Sequence, residues 1–251
     1  MYDRLGDTWW DNNAFLNLLE STINPWRLPY FERVMRQLEI DPHSTRALDV
    51  GCGGGILAES LAAMGLSVTG VDPSVQSLEN ARAHAKKKNL SIDYQIGTGT
   101  ELQFADASFD VVFCCDVLEH IVGWDAVIRE IGRVVEKNGV VFFDTINRTF
   151  ASKLRSIKIA QEWKWTRFAP PDTHVWEMFI TPDELTESFR RHGMRIGGIV
   201  GTTERGNPIS AFRLIRQYSS GRITSAEFGR RLAMTEGPVI SGSYMGHAIK
   251  P

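Results

Sequence analysis

No apolar run in this chain of 251 residues approaches the roughly 18 residues that a bilayer-spanning helix needs. Cysteine is scarce. Cys52, Cys114 and Cys115 sit in apolar or glycine-rich runs, and neither their odd number nor their spacing suits a disulfide framework or a zinc site, so free thiols in a reducing compartment are expected. An excess of one charge is missing too. With 28 Lys plus Arg against 30 Asp plus Glu, the net charge of -2 exerts no overall pull on nucleic acid or anionic lipid, and any such affinity has to come from a local patch. There is no internal repeat and no low-complexity segment. The start, Met1-Tyr2-Asp3-Arg4, carries no basic region followed by an apolar stretch, so a cytoplasmic protein is expected, one still able to rest on a membrane surface.

What is present is a 43% apolar composition, enough for one well-filled domain over residues 1–251. Residues 1–45 place Trp9, Trp10, Phe15, Trp26, Tyr30 and Phe31 on helix-compatible spacings, interrupted by Asn24-Pro25 and Pro29, and predict a helical cap. From Arg46 short apolar runs alternate with amphipathic segments, the pattern of βα units and a mostly parallel sheet. Strands are predicted at Ala47–Val50, Ser67–Val71, Asp93–Gln95, Val111–Cys115 and Gly139–Asp144, with helices at Leu57–Met64, Val75–Lys88 and Trp124–Val135. Further on, Thr181-Pro182-Asp183-Glu184 reads as a capped helix start.

Leu48-Asp49-Val50-Gly51-Cys52-Gly53-Gly54-Gly55 puts a strand directly before a glycine-rich turn and a helix, where backbone can approach a ligand. A dinucleotide fingerprint would want glycine at position 56, which is Ile. Asp49 at the strand tip would repel a pyrophosphate but attract a cationic amino-acid moiety. Twenty-one residues after Gly51, Asp72 ends a second strand, where a carboxylate can accept both hydroxyl hydrogens of a ribose. Either aspartate alone could equally be a cap or turn residue.

Ligands of open parallel sheets bind at the carboxyl ends of the strands, so Asp116-Val117-Leu118-Glu119-His120 should face the chemistry. Helical spacing would bring Asp116, Glu119 and His120 onto one face, a set able to bind a divalent cation. The motif alone does not decide between a metal site and metal-free use of the same residues. A phenol, with a pKa of about 10, needs either a cation or a neutral histidine to become a good nucleophile.

Taken together, Asp49, Gly51, Gly53, Gly55 and Asp72 resemble the signature of class I S-adenosylmethionine-dependent methyltransferases. That resemblance implies a doubly wound, mostly parallel seven-stranded α/β sheet, with residues 46–147 as the cofactor-binding core. It also implies that Cys52, Pro73 and Cys115 line the cofactor site and that Thr98-Gly99-Thr100 runs beside the adenine, with Thr98 where the family usually has Asp. Trp9-Trp10-Asp11, Asn24-Pro25-Trp26-Arg27, Thr145-Ile146-Asn147-Arg148, Thr173-His174 and Phe179 through Leu185 resemble, more narrowly, the ubiquinone-biosynthesis O-methyltransferases. This narrower likeness implies a polyprenylated catechol as acceptor, Arg27 on the carboxylate of the cofactor's methionine part, and a divalent cation such as Mg held by Asp116, Glu119 and His120. His174 either lines the acceptor pocket or is structural.

From Arg148 to Arg167 six basic residues accompany one acidic one, with Phe150, Leu154, Ile157 and Ala160 on helical spacing and Trp163, Trp165 and Phe168 beyond. This profile suits a helix lying on an anionic membrane, the use the family makes of the region, or a lid with solvated lysines. Beyond Ile199 the likeness fades into Arg205-Gly206-Asn207-Pro208 and an additional helical segment over 211–237, within an acceptor-side region of 148–251. Another small phenolic or natural-product hydroxyl is therefore the competing acceptor. A non-catalytic scaffold is disfavoured by the intact acidic and glycine positions. A nucleic-acid methyltransferase is disfavoured because Cys115-Asp116-Val117-Leu118 stands where an Asn/Asp-Pro-Pro-aromatic motif would be. Oligomeric state is not written in these residues.

Overall fold

A computed structural model of the chain describes residues 8–204, 207–238 and 240–251; the readings of Met1–Arg4 and of Arg205-Gly206 lie outside the described residues. Five strands follow one another in parallel: β1 (Arg46–Val50), β2 (Ser67–Asp72), β3 (Asp93–Ile96), β4 (Phe109–Cys115) and β5 (Val135–Ile146). They are joined through α2 (Ile56–Ala63), α3 (Val75–Lys87) and α4 (Asp125–Val134), after α1 (Asn24–Gln37). The sheet is completed by β6 (Arg195–Glu204), β7 (Met234–Gly237) and β8 (Ser243–Ile249) in the order β3-β2-β1-β4-β5-β8-β6-β7. β8 runs antiparallel to both β5 and β6.

Among the described residues the sheet therefore has eight strands where seven were expected. The extra one, β7, pairs antiparallel with β6 at the open edge and takes up the end of the segment read as helical over 211–237. The rest of that segment forms α7 (Pro208–Ser219) and α8 (Ser225–Leu232). Met-Thr-Glu-Gly has no alternation to announce a strand; its pairing is supplied by the exposed backbone of β6.

Side-chain alternation divides the core between the two faces of the sheet. Ala47, Phe113 and Phe142 pack with Phe31, Val34 and Leu61 on one face, while Leu48, Val112, Val141 and Phe143 pack with Ile128, Leu185 and Phe189 on the other. Leu185 and Phe189 belong to α6 (Pro182–Arg191), opened by the expected capping box between Thr181 and Glu184.

Pro29 does not interrupt the cap as expected; it lies inside α1. An interior proline removes one backbone bond and costs about 3 kcal/mol. Burial of Trp26, Tyr30, Phe31, Val34 and Met35 along the same face outweighs it, at roughly 1.5–3 kcal/mol per large apolar side chain.

The α7–α8 insertion folds back on the cap. Leu214, Tyr218 and Phe228 pack with Leu18, Phe15 and Phe168. Ser225 ties the two together, its amide donating to Asn12 O at 2.9 Å and its hydroxyl to Ala14 O at 2.9 Å. Gly229 lies against the backbone of Ser21 so closely that a Cβ there would collide with the Ser21 carbonyl oxygen. Gly229→Ala is therefore expected to loosen the insertion by about 1–3 kcal/mol. Limited proteolysis should cut it faster around 219–224; unchanged protection would refute the tight packing.

Candidate functional site

The alternation that fills the core also builds the site. One step beyond Ala47, Phe113 and Phe142, on the same face and at the carboxyl ends of β1, β4 and β5, stand Asp49, Cys115 and Asp144. Arg27, on the buried stripe of α1 with Tyr30, Phe31 and Val34, descends onto them. Its guanidinium pairs with Asp116 through Nη2 and lies 3.4 Å from Asp144 through Nε. Burial works to lower the pKa of Arg27, but the charges of Asp116 and Asp144 outweigh it and the net shift is upward. Asp144 accepts the Asp116 amide at 2.8 Å, holding Asp116 in a left-handed conformation with φ 55°. Such a conformation is costly for a residue other than glycine and concentrates at functional sites.

A cavity of about 1060 Å³ opens over this floor. Thirteen of the residues singled out in the sequence line it: Arg27, Asp49, Gly51, Cys52, Asp72, Pro73, Thr98, Gly99, Thr100, Cys115, Asp116, His120 and His174. Gly53, Gly55 and Glu119 do not. The glycines turn their outer faces to Trp9 and Tyr94, while Glu119 is 1% exposed and accepts the Thr145 hydroxyl at 2.8 Å. Gly51, at φ +75°, could carry no side chain without striking Val117.

Asp49 is 2% exposed and its Oδ2 has no hydrogen-bond partner. Burial pushes its pKa up to about 7 against the opposing pull of Arg27. Asp72 is held at the tip of β2, accepting the Gly53 amide at 2.9 Å and the Ser74 amide at 2.8 Å. Across the cavity the rings of His120 and His174 stack with centroids 5.2 Å apart. Burial lowers the pKa of both imidazoles, that of His174 to about 4. The amide of His174 is fixed by Gln161 at 2.6 Å, and its Nδ1 is buried without a partner.

The expected three-donor metal set is not assembled. Among the described residues no group of three His, Cys, Asp or Glu side chains could hold a metal ion. The motif after β4 forms a short 3-10 turn over Leu118–His120 in place of the α-helical spacing assumed. Asp116 is engaged by Arg27, and burial with the Asp116 charge pushes the pKa of the Glu119 carboxyl well above its ordinary range.

The far wall of the cavity was only partly foreseen. It includes Ile159 and Phe168, and from the insertion Phe212, Ile215 and Phe228. α5 (Phe150–Ser152), continued with π-type winding over Lys153–Glu162, gives this wall Ser152, Arg155, Ser156 and Ile159. Phe150 and Leu154 project outward. Asp144 and Trp9 were missed. The strand-end argument applied to Asp116 would have found Asp144, whereas no local signal places Trp9 against the loop.

Comparison with known proteins agrees with this geometry. Residues 48–143 match the family model described as "Methyltransferase domain". The "Ubiquinone biosynthesis O-methyltransferase" of Neisseria meningitidis serogroup C is 40% identical over 205 residues, covering 80% of this chain and 83% of the relative. The protein of the same name from Nitrosomonas europaea is 39% identical over 210 residues, covering 83% and 86%. Among solved structures, a SAM-dependent methyltransferase from Aquifex aeolicus aligns with a TM-score of 0.59 at 14% identity, over 100% of this chain and 97% of its own. Magnesium protoporphyrin IX methyltransferase from Synechocystis, solved with bound SAH, aligns at 0.59 and 15% over 100% and 98%. These distant structures share the fold. The chain is a methyltransferase of the S-adenosylmethionine-dependent class and belongs to the ubiquinone-biosynthesis O-methyltransferase family.

Proposed function

We propose that this chain methylates a phenolic hydroxyl of a polyprenylated catechol in ubiquinone biosynthesis. The observation that carries the reading is the continuity of one cavity, from Asp49 and Asp72 past the His120–His174 pair to the apolar wall of Ile159, Phe168, Phe212 and Phe228. A polar head and a prenyl tail would find matching surroundings there. The names of the relatives support the same acceptor.

The residues present fit the cofactor. The unpartnered Oδ2 of Asp49 suits the cofactor's ammonium, the Asp72 carboxylate lines the same cavity on the side expected for the ribose hydroxyls, and Thr98-Gly99-Thr100 flanks the remaining space. Arg27 sits where its fork can take the cofactor's carboxylate, sharing the guanidinium with Asp116 and Asp144. Bound S-adenosylmethionine supplies an electrophilic methyl group on sulfur. The chain's own work is to hold the acceptor oxygen in line and to receive its proton. The imidazole of His174, a residue that lines the cavity, would take this role, uncharged at neutral pH and stacked with His120. As the O–CH3 bond forms, the S–CH3 electron pair stays on sulfur and the hydroxyl proton passes to imidazole. No step is assigned to a divalent cation, because Asp116, Glu119 and His120 are otherwise engaged.

Contact with an anionic membrane surface is part of the proposal. No helix among the described residues is long and apolar enough to cross a membrane. Phe150 (80% exposed) and Trp165 (74% exposed) stand out beside Lys153, Lys158, Lys164 and Arg167. Pairing of such aromatics with basic residues suits an interfacial segment. Phe150→Glu with Trp165→Glu should abolish cosedimentation with phosphatidylglycerol vesicles; undiminished binding would remove this element.

The deciding experiment is methyl transfer from labelled S-adenosylmethionine to short-chain prenylated catechols and to unprenylated phenols, with and without EDTA. Preferential labelling of the prenylated catechol that survives EDTA is expected. Labelling of unprenylated phenols alone would redirect the acceptor assignment to a smaller phenol, with the insertion as its pocket wall. Loss of turnover in EDTA, restored by magnesium, would reinstate the cation.

A further inference from the structure

Trp9 and Trp10 lie on the outer side of the glycine turn, away from the strand tips that supply the acidic groups. The Trp9 indole is 6% exposed, lines the cavity, and donates from Nε1 to the Ser77 hydroxyl at 3.0 Å. It covers Gly53 and Gly54 so closely that a Cβ on Gly54 would collide with its Cγ and come within 2.5 Å of its own Cβ. Trp10 donates from its indole to the Gly54 carbonyl oxygen at 2.9 Å. Its ring stacks on His84, with centroids 3.5 Å apart and an interplanar angle of 9°. His84 is anchored in turn to the Glu59 carboxylate at 2.8 Å. Two consecutive tryptophans thus reach α3 and grip both Gly53 and Gly54, while the inner side of the loop, Gly51 and Cys52, faces the cavity.

We propose that Trp9 and Trp10 are positioning residues for the cofactor, acting through the glycine turn. The turn has several glycines and hence many conformations to lose on binding. A strap that selects one of them beforehand lowers that cost and raises affinity without touching the transferred methyl group. The inference rests on reading the turn as the cofactor cradle.

It predicts reciprocity between the two sides of the contact. Gly54 has no left-handed backbone requirement, and the atoms nearest to an added Cβ all belong to Trp9, so the harm done by Gly54→Ala is expected to come through Trp9. The partner substitution must be Trp9→Gly, since even an alanine would leave the Cβ that collides. Calorimetric titration of the full chain with S-adenosylhomocysteine needs no acceptor and is independent of the acceptor assignment. Gly54→Ala and Trp9→Gly should each weaken binding at least tenfold, and the double variant should bind no more weakly than Trp9→Gly. The KM for S-adenosylmethionine should rise in step, with kcat at saturation within about twofold. Trp9→Phe should restore most of the affinity that Trp9→Gly loses, and Trp10→Ala should weaken binding with Trp9 intact. Losses that multiply in the double variant, or normal binding by Gly54→Ala, would overturn the strap. Should Trp9→Gly fail to fold, normal binding by Trp10→Ala would do so equally. A parent chain that does not bind S-adenosylhomocysteine would instead overturn the cradle reading, and the strap with it.

Discussion

Asp49→Asn should lose about 10- to 150-fold in S-adenosylhomocysteine affinity while melting at a higher temperature than the parent. The two effects have one cause. Asp49 is 2% exposed with an unpartnered carboxylate oxygen, so in the folded chain its charge is desolvated, and Arg27 with a backbone hydrogen bond from Ala58 compensates it only in part. The raised pKa, about 7 against an unfolded value near 3.8, fixes the sign. Between those pH values the folded state binds more protons than the unfolded one, so stability falls as pH rises through the window, and the full cost, on the order of 4 kcal/mol, is present above pH 7. An amide of the same shape escapes that cost but cannot form the charge-assisted bond to an ammonium, worth about 1.5–3 kcal/mol. Scanning calorimetry between pH 5 and 8 and titration with S-adenosylhomocysteine measure both. Asp144, buried beside it and pushed to about 7 by the same desolvation, should leave a residual pH slope in the variant. A lower melting temperature with intact affinity would mean that Asp49 holds the fold and not the ligand.

Asp49 and Asp72 were legible because a parallel sheet converts linear order into position: an acidic residue at a strand's carboxyl end is delivered to the crevice wherever the helices go. Arg27 was legible through likeness to a family, yet its depth follows from spacing alone, since it lies three and four residues from Tyr30 and Phe31 on the buried stripe of α1. Asp144 obeys the same strand-end rule as Asp116, since it closes the strand expected over Gly139–Asp144.

Other features depend on partners distant in sequence. Glu119 was assigned to the cavity on the assumption of α-helical spacing, but the 3-10 turn delivers it to Thr145, 26 residues away. β7 exists because β6 offers an unpaired edge, and the insertion becomes a cavity wall because Leu18 and Phe168 give its apolar face a place to pack. The strap of Trp9 and Trp10 is of the same kind. Their sequence is conspicuous, yet nothing local says that they meet Gly54, Ser77 and His84.

His174→Ala is expected to lower kcat/KM about 100-fold or more, with S-adenosylhomocysteine affinity unchanged. The imidazole is buried with Nδ1 unpartnered, the His174 amide is pinned by Gln161, and His174 lines the same cavity as His120 and Asp116. Removing a positioned proton acceptor costs 10²–10⁴-fold in typical enzymes. The pH dependence separates this role from simple packing. An ordinary histidine base loses activity as pH falls through about 6.5. Here burial and the neighbouring His120 lower the pKa of His174 to about 4, Asp116 opposing them weakly, and burial lowers that of His120 as well. A protonated ring has no lone pair to accept the hydroxyl proton, so the acid limb of kcat/KM should lie well below pH 6 and vanish in His174→Ala. His120→Ala should cost less alone and little more in the double variant, because the stacked pair acts as a unit. An acid limb at about 6.5 that persists in His174→Ala would assign the proton to another group.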